Sequence, residues 1–165
     1  MRIETQHLVL RPVRADDLDG YRRLGIRLDA AQREVDYAVG HWDEHGFGPW
    51  VVLERGDDHL AGILEVHYAH EGVDGIEPDE VEIGWTVAPE LRRRGIALEA
   101  ARAAVADAFE RLRPPHLVAY IRPENEASLR IAASLGMRDD GEGTGRSGER
   151  MRIFRLPRPT TIDGA

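Results

Sequence analysis

Between Glu80 and Ile121 the sequence changes period twice, and this constrains the fold more than any other feature. "EVEIGWTV" (Glu80 to Val87) reads as a strand. From Ile96 to Leu112 the apolar positions Leu98, Ala101, Val105, Ala108 and Leu112 recur at helical spacing, and Pro114–Pro115 stop the run. "HLVAYI" (His116 to Ile121) is strand-like again. A strand, a long helix and a second strand predict a parallel pair joined by a right-handed crossover.

The remaining elements surround that crossover. "HLVLRPV" (His7 to Val13) alternates and reads as a strand, with Pro12 marking its end or an edge. A short helix follows, with Asp16 or Asp17 as its expected cap. A second helix is expected from about Ala30 to Glu44, broken by "GFGP". "WVVLERG" and "LAGILEVHYAH", separated by "DDH", predict a hairpin, so the middle three strands should be antiparallel. "ENEASLRIAASLG" is a helix closed by Gly136, and "MRIFRLP" is a final strand. The expected fold is a mixed α/β sheet with flanking helices. Residues 1–157 should form a single domain, followed by a frayed tail at 158–165.

At 165 residues the chain can bury a substantial core. The absence of cysteine excludes disulfides, thiolate metal sites and a cysteine nucleophile. No run approaches the roughly 20 apolar residues of a membrane span, nor does the N-terminus resemble a signal peptide, so the expected compartment is the cytoplasm. A net charge of −8 argues against nucleic acid as partner and suits a cationic one such as an amine.

"WTVAPELRRRGIALEAARAA" places three arginines and a glycine where a strand gives way to a helix. The first turn of a helix carries free N–H groups and partial positive charge. Gly95 lets a ligand approach the backbone, and arginine forks match phosphate oxygens. Together these predict an anion site. "RRRGIA" (Arg92 to Ala97) fits the Q/R-x-x-G-x-G/A signature, and here the sequence resembles the GNAT superfamily of N-acetyltransferases. "TQHLVLRPVRADDLDGY", "GFGPWVVLER", "EIGWTVAPELRRRGIALEAA" and "IRPENEASLRIAASLGM" are similar, in that order, to segments of its branch of ribosomal-protein N-terminal acetyltransferases (RimJ/RimL-like). The likeness covers nearly the whole chain.

The resemblance implies the GNAT acyl-CoA N-acyltransferase fold: a mostly antiparallel central sheet with a splayed parallel pair. It implies acetyl-CoA as cosubstrate, its pyrophosphate held by Arg92, Arg93 and Arg94 and by the amides around Gly95, Ile96 and Ala97. The pantetheine arm would lie between Glu80–Val87 and His116–Ile121, bonded to the backbone at Val87. Asn125 and Ser128 match the family's N-x-x-S, with Asn125 orienting the cofactor arm and Ser128 touching it or protonating the thiolate. Asn125 could equally be a helix cap. Where many members carry an acidic tyrosine, this chain has Ala132, which leaves Ser128 or water for that step.

Acetyl transfer needs a neutral amine, and three groups are candidates to accept its proton: Glu82, Glu65 and His67. Glu82 corresponds to a general base in some members. Glu65 and His67, two apart on one strand face, are expected to line the acceptor pocket, with Trp42 at its border. A small-molecule or peptide amine would attack directly in a ternary complex, because there is no cysteine to carry the acetyl group. Homodimers are common in the family, and no patch in the sequence decides the oligomeric state. The rivals are a non-catalytic coenzyme A-binding or regulatory domain on the same fold and an unrelated nucleotide-binding α/β domain.

Three other motifs are set aside. "HWDEH" (His41 to His45) matches an inverted zinc-peptidase pattern, but five residues match often by chance, and no metal is expected. "GTGRSG" (Gly143 to Gly148) leads into a strand, unlike a dinucleotide loop, and reads as a hairpin connection. "HYAHEGVDGIEPDEVE" lacks ligand spacing and reads as a solvated loop.

Overall fold

The computed structural model describes residues 1–160, and the crossover expected from the sequence is present. Strand β5 (Val81–Val87), helix α3 (Ile96–Arg111) and strand β6 (His116–Ile121) follow one another. β5 and β6 are parallel, with Val81 opposite Leu117 and Glu82 opposite Val118. α3 ends where Arg113 takes a left-handed φ of 52° just before Pro114–Pro115.

Before the crossover come β1 (Ile3–Glu4), β2 (Leu8–Pro12), a 3₁₀ turn at Ala15–Asp17, α1 (Leu18–Arg23), α2 (Leu28–His45), β3 (Trp50–Glu54) and β4 (Leu60–Tyr68). After it come α4 (Glu126–Ser134), β7 (Arg138–Thr144) and β8 (Arg150–Pro157). The hydrogen-bonded order is β1-β2-β3-β4-β5-β6-β8-β7. β5–β6 is its one parallel pair among the described residues. The Ala88 N–H donates to Ala61 O and the Ala69 N–H to Glu80 O, so residue numbers on β4 and β5 run in opposite directions. The middle three strands are antiparallel as predicted.

Two compact units are distinguished by their internal contacts. The first comprises Met1–His67 and Ile83–Val105. Its core gathers Val13, Tyr21, Val35, Ala38, Val51 and Ile63. On α2 the buried residues Ala31, Val35, Ala38 and His41 form one stripe at helical spacing, which is why this otherwise charged sequence is a helix. Each large apolar side chain buried here contributes about 1.5–3 kcal/mol. Gly46 closes α2 at φ 72°. Neither Asp16 nor Asp17 caps α1 through its side chain, contrary to expectation. Asp17 is instead buried and accepts from both Nη atoms of Arg11, at 2.8 and 2.6 Å, and from the Arg14 N–H at 2.7 Å. A bidentate guanidinium outcompetes a helix amide for the carboxylate.

The second unit comprises Tyr68–Glu82 and the chain from Ala106 onward. Its core joins Ala69, Val73, Ile76, Val118 and Ile153. The loop after β4 is tied to β8 by Arg155, whose Nε and Nη2 reach Glu80 at 2.7 and 3.0 Å and whose Nη2 also reaches Gly75 O at 2.8 Å. His116 meets the same carboxylate at 2.5 Å. Burial alone would raise the Glu80 pKa, but Arg155, the Glu77 N–H and His116 outweigh it and hold it at about 2. The "GTGRSG" segment is the β7–β8 hairpin connection, closed by the Gly145 N–H donating to Glu149 O at 2.7 Å. Of the expected tail, Arg158 is anchored through Pro115 O and Arg113 O, both at 2.9 Å; 161–165 lie outside the described residues.

Candidate functional site

The arginine run occupies the turn between a 3₁₀ segment, Pro89–Leu91, and α3. Arg93 (φ 63°) and Gly95 (φ 80°) are both left-handed, so the backbone reverses twice within three residues. Arg92 to Gly95 are exposed, and a Cβ added at Gly95 would meet nothing within 4 Å. Glu99 N–H donates to Gly95 O at 3.0 Å, fixing the start of the helix. The amides of Ile96, Ala97 and Leu98 therefore belong to the first turn, where the helix has no acceptor for them. Arg94 is paired with Glu54 at 2.9 Å, and Arg92 and Arg93 stand exposed beside it. Glu99 accepts from Thr5 Oγ1 at 2.6 Å and from the His7 N–H at 2.9 Å, which pins the N-terminal segment to this helix start. A cavity of about 380 Å³ lies alongside, lined by Gln6, Glu54, Arg94, Ile96 and Glu99 among others. Open backbone, a helix N-terminus and exposed arginines form a fitting cradle for a pyrophosphate.

Within the first unit, α1, α2 and β4 assemble a polar face. Glu65 is half-buried and His67 buried. Midway between the two β4–β5 rungs given above, Gly84 stands opposite Glu65. A Cβ built on Gly84 would lie 2.6 Å from Glu65 Oε2, so the carboxylate occupies the space a side chain would fill. Loss of water around Glu65, with the Glu34 charge added, pushes its pKa up to about 7. Burial raises the Tyr21 pKa, and the same two carboxylates add to it. The Tyr37 hydroxyl lies 3.2 Å from His67 Nδ1. His41 donates from Nδ1 to Phe47 O at 2.7 Å, and burial lowers its pKa. His41 and His45, the two histidines of "HWDEH", stack edge to face at 4.5 Å. Trp42 spends its indole N–H on Pro49 O at 2.7 Å and packs on Trp50. It braces the "GFGP" corner.

In the second unit Glu82 is buried on β5. Asn125 caps α4 by accepting from the Ser128 N–H at 3.1 Å, and Ser128 is half-buried in the first turn. On the first unit's part of β5, Val87 is half-buried just ahead of the arginine turn.

Residues 7–138 match the profile of the acetyltransferase (GNAT) domain family. The chain belongs to the GNAT acetyltransferases. It is 33% identical over 90 residues to YnaD of Bacillus subtilis (strain 168), described as an uncharacterised N-acetyltransferase. That match covers 54% of this chain and 49% of YnaD, so the chain spans about half the length of the curated relative. A structure from Bordetella pertussis, described as a GNAT-family acetyltransferase, superposes with a TM-score of 0.83 at 23% identity, covering 94% of this chain and 98% of that one. A structure from Vibrio cholerae, described as a ribosomal-protein-serine acetyltransferase, gives 0.77 at 20% identity over 95% and 97%. Both show the GNAT fold.

For a GNAT chain, sequence reading locates the arginine turn and the candidates Glu65 and His67, but misses what surrounds them. Tyr37, Glu34 and the Arg94–Glu54 pair follow from tertiary contacts between segments distant in sequence. Gly84 did carry a signal: an isolated glycine inside a strand often marks close approach by another group.

Proposed function

We propose that this protein is an acetyl-CoA-dependent N-acetyltransferase that passes the acetyl group directly to a primary amine. The observation that carries this reading is the doubly reversed turn Arg92–Gly95 at the start of α3, with exposed arginines and an unobstructed glycine. Arg92 and Arg93 bind the cosubstrate's pyrophosphate, the first-turn amides of Ile96 and Ala97 add donors, and Arg94 joins them by exchanging Glu54 for phosphate. The backbone N–H at Val87 polarises the thioester carbonyl. Asn125 and Ser128 at the start of α4 hold the cofactor arm, and Ser128 or water returns a proton to the sulfur. When bound, the cosubstrate supplies an activated acyl carbon and a thiolate leaving group. The face bearing Glu65 and His67 receives the amine, whose positive charge in water suits a carboxylate-bearing pocket. The acceptor is a small amine or a peptide N-terminus; the fold likeness to a ribosomal-protein acetyltransferase supports including the latter.

The test is a thiol-release assay with acetyl-CoA against polyamines, amino acids, aminoglycosides and short peptides, with calorimetric cofactor binding in parallel. Arg92→Ala together with Arg93→Ala should weaken cofactor binding ten-fold or more, at roughly 1–2 kcal/mol per charged hydrogen bond. Gly95→Glu should weaken it further. Unchanged affinity in all of these variants rejects the site. Tight binding with no thiol release from any amine makes the chain a coenzyme A-binding protein without this activity.

A further inference from the structure

We propose that Glu65 takes the proton from the acceptor's ammonium group, and that Gly84 is the positioning residue that seats its carboxylate. The inference deepens the N-acetyltransferase reading and rests on it for the reaction, though not for the cation site. Gly84 lies in the middle of β5, where its φ is not left-handed, so its backbone would accept any residue. The constraint is steric: the added Cβ meets Glu65 Oε2 at 2.6 Å, with Glu65 Cβ and Cδ next at 3.6 and 3.7 Å. The glycine therefore answers to one carboxylate. Among the described residues that carboxylate has no hydrogen-bond or ion-pair partner. A carboxylate on a half-buried residue, held in a fixed seat and lacking a partner, is suited to receive one from outside.

Titratable groups stand near it on the elements of the first unit. α1 contributes Tyr21, and α2 contributes Glu34, with Arg33 beside it, Tyr37 and His41. β4 adds His67, two residues along on the same strand face. Burial raises the cost of the Glu65 charge most, and the neighbouring Glu34 charge adds to it. An entering ammonium offsets both costs with its opposite charge.

The step balances as follows. The Glu65 carboxylate takes one proton from R–NH₃⁺, freeing the nitrogen lone pair. That pair forms the C–N bond to the thioester carbonyl carbon, and the C–S bond breaks with its electrons on sulfur. The nitrogen's second proton goes to the thiolate through Ser128 or water. Glu65 returns its proton to solvent. A base with a pKa near 7 is matched to neutral operation.

The experiment uses the full chain with ¹³C-labelled glutamate carboxyls, followed by NMR from pH 4 to 9, with and without ethylammonium as probe. Glu65, assigned through Glu65→Gln, should titrate near 7, and the probe should lower its midpoint. In Gly84→Ala the displaced carboxylate should titrate closer to an ordinary glutamate and respond less to the probe. Gly84→Ala should remain folded, because the atom that must move is the free end of a flexible side chain. With an acceptor from the panel, kcat of the parent should rise with pH through about 7. Glu65→Gln should lose 10²–10⁴-fold in kcat at neutral pH. Gly84→Ala should shift the midpoint of the kcat profile while leaving cofactor affinity unchanged. Identical midpoints in the parent and Gly84→Ala, or a parental pH profile in Glu65→Gln, overturn the proposal. If the probe-sensitive titration is present but no amine is acetylated, the reaction reading fails and the cation site stands.

Discussion

Replacing Glu65 by glutamine should stabilise the protein above neutral pH. Folding raises this carboxyl from the ordinary glutamate value of 4.5 to about 7. Below pH 4.5 the group is protonated in both states and the raised pKa has no adverse effect. As pH climbs from 4.5 to 7, the unfolded chain ionises first, and stability falls until the folded carboxyl ionises as well. The shift corresponds to a ceiling of about 3.4 kcal/mol, at 1.36 kcal/mol per pKa unit. Glu65 as a whole is only partly buried, and screening reduces the cost, so about 1–2 kcal/mol is the expected loss. Glutamine keeps the shape and carries no charge, so Glu65→Gln escapes that loss. For a chain of this length 1 kcal/mol moves Tm by about 2–4 °C. Thermal unfolding followed by circular dichroism should give equal Tm values for parent and variant near pH 4, and a variant Tm about 3–6 °C higher at pH 8. A Tm difference that stays constant with pH, or that favours the parent at pH 8, would refute the argument that burial sets this pKa.

Two further outcomes concern the ion pairs. Asp17→Asn leaves Arg11 facing a neutral amide in a buried turn, and should lower urea-measured stability by about 2–4 kcal/mol at neutral pH. Glu80, held at about 2, contributes stability that is present above pH 4.5 and fades as pH falls towards 2. Glu80→Gln should therefore destabilise by about 1–3 kcal/mol at pH 7, and by progressively less in acid. An undiminished difference at pH 2.5 would argue against this source of the shift.

Legibility from the sequence followed the range of the interaction. β6 was found to the residue because its apolar run is bounded by Pro114–Pro115 and by the polar start of α4. α3 was found to within one residue because its alanine stripe is periodic. β1 went unseen: two residues carry no period, and Ile3–Glu4 pairs only because β2 lies beside it. β7 was not read as a strand in its own right because Arg138–Thr144 is nearly all polar, and its pairing with β8 supplies what its side chains do not. The sequence offers Asp16 or Asp17 as a cap because a cap is a local bond, whereas the pairing of Asp17 with Arg11, six positions earlier, forms only after the chain has turned. The candidate site divides in the same way. The arginine turn is one contiguous segment and could be read directly. Glu65 was read as pocket-lining from strand alternation, but its seat over Gly84 depends on the β4–β5 register, which no single segment encodes.

The left-handed conformation at Arg93 bears on how this turn can evolve. A side chain there sits against a backbone preference of about 1 kcal/mol, which glycine would not incur and asparagine would incur less. A library randomised at position 93 and sorted only for thermal endurance should drift towards those small residues. The same library sorted for retention on a coenzyme A resin should keep arginine. Where two selections on one codon diverge, the side chain is being retained for its ligand and not for the scaffold.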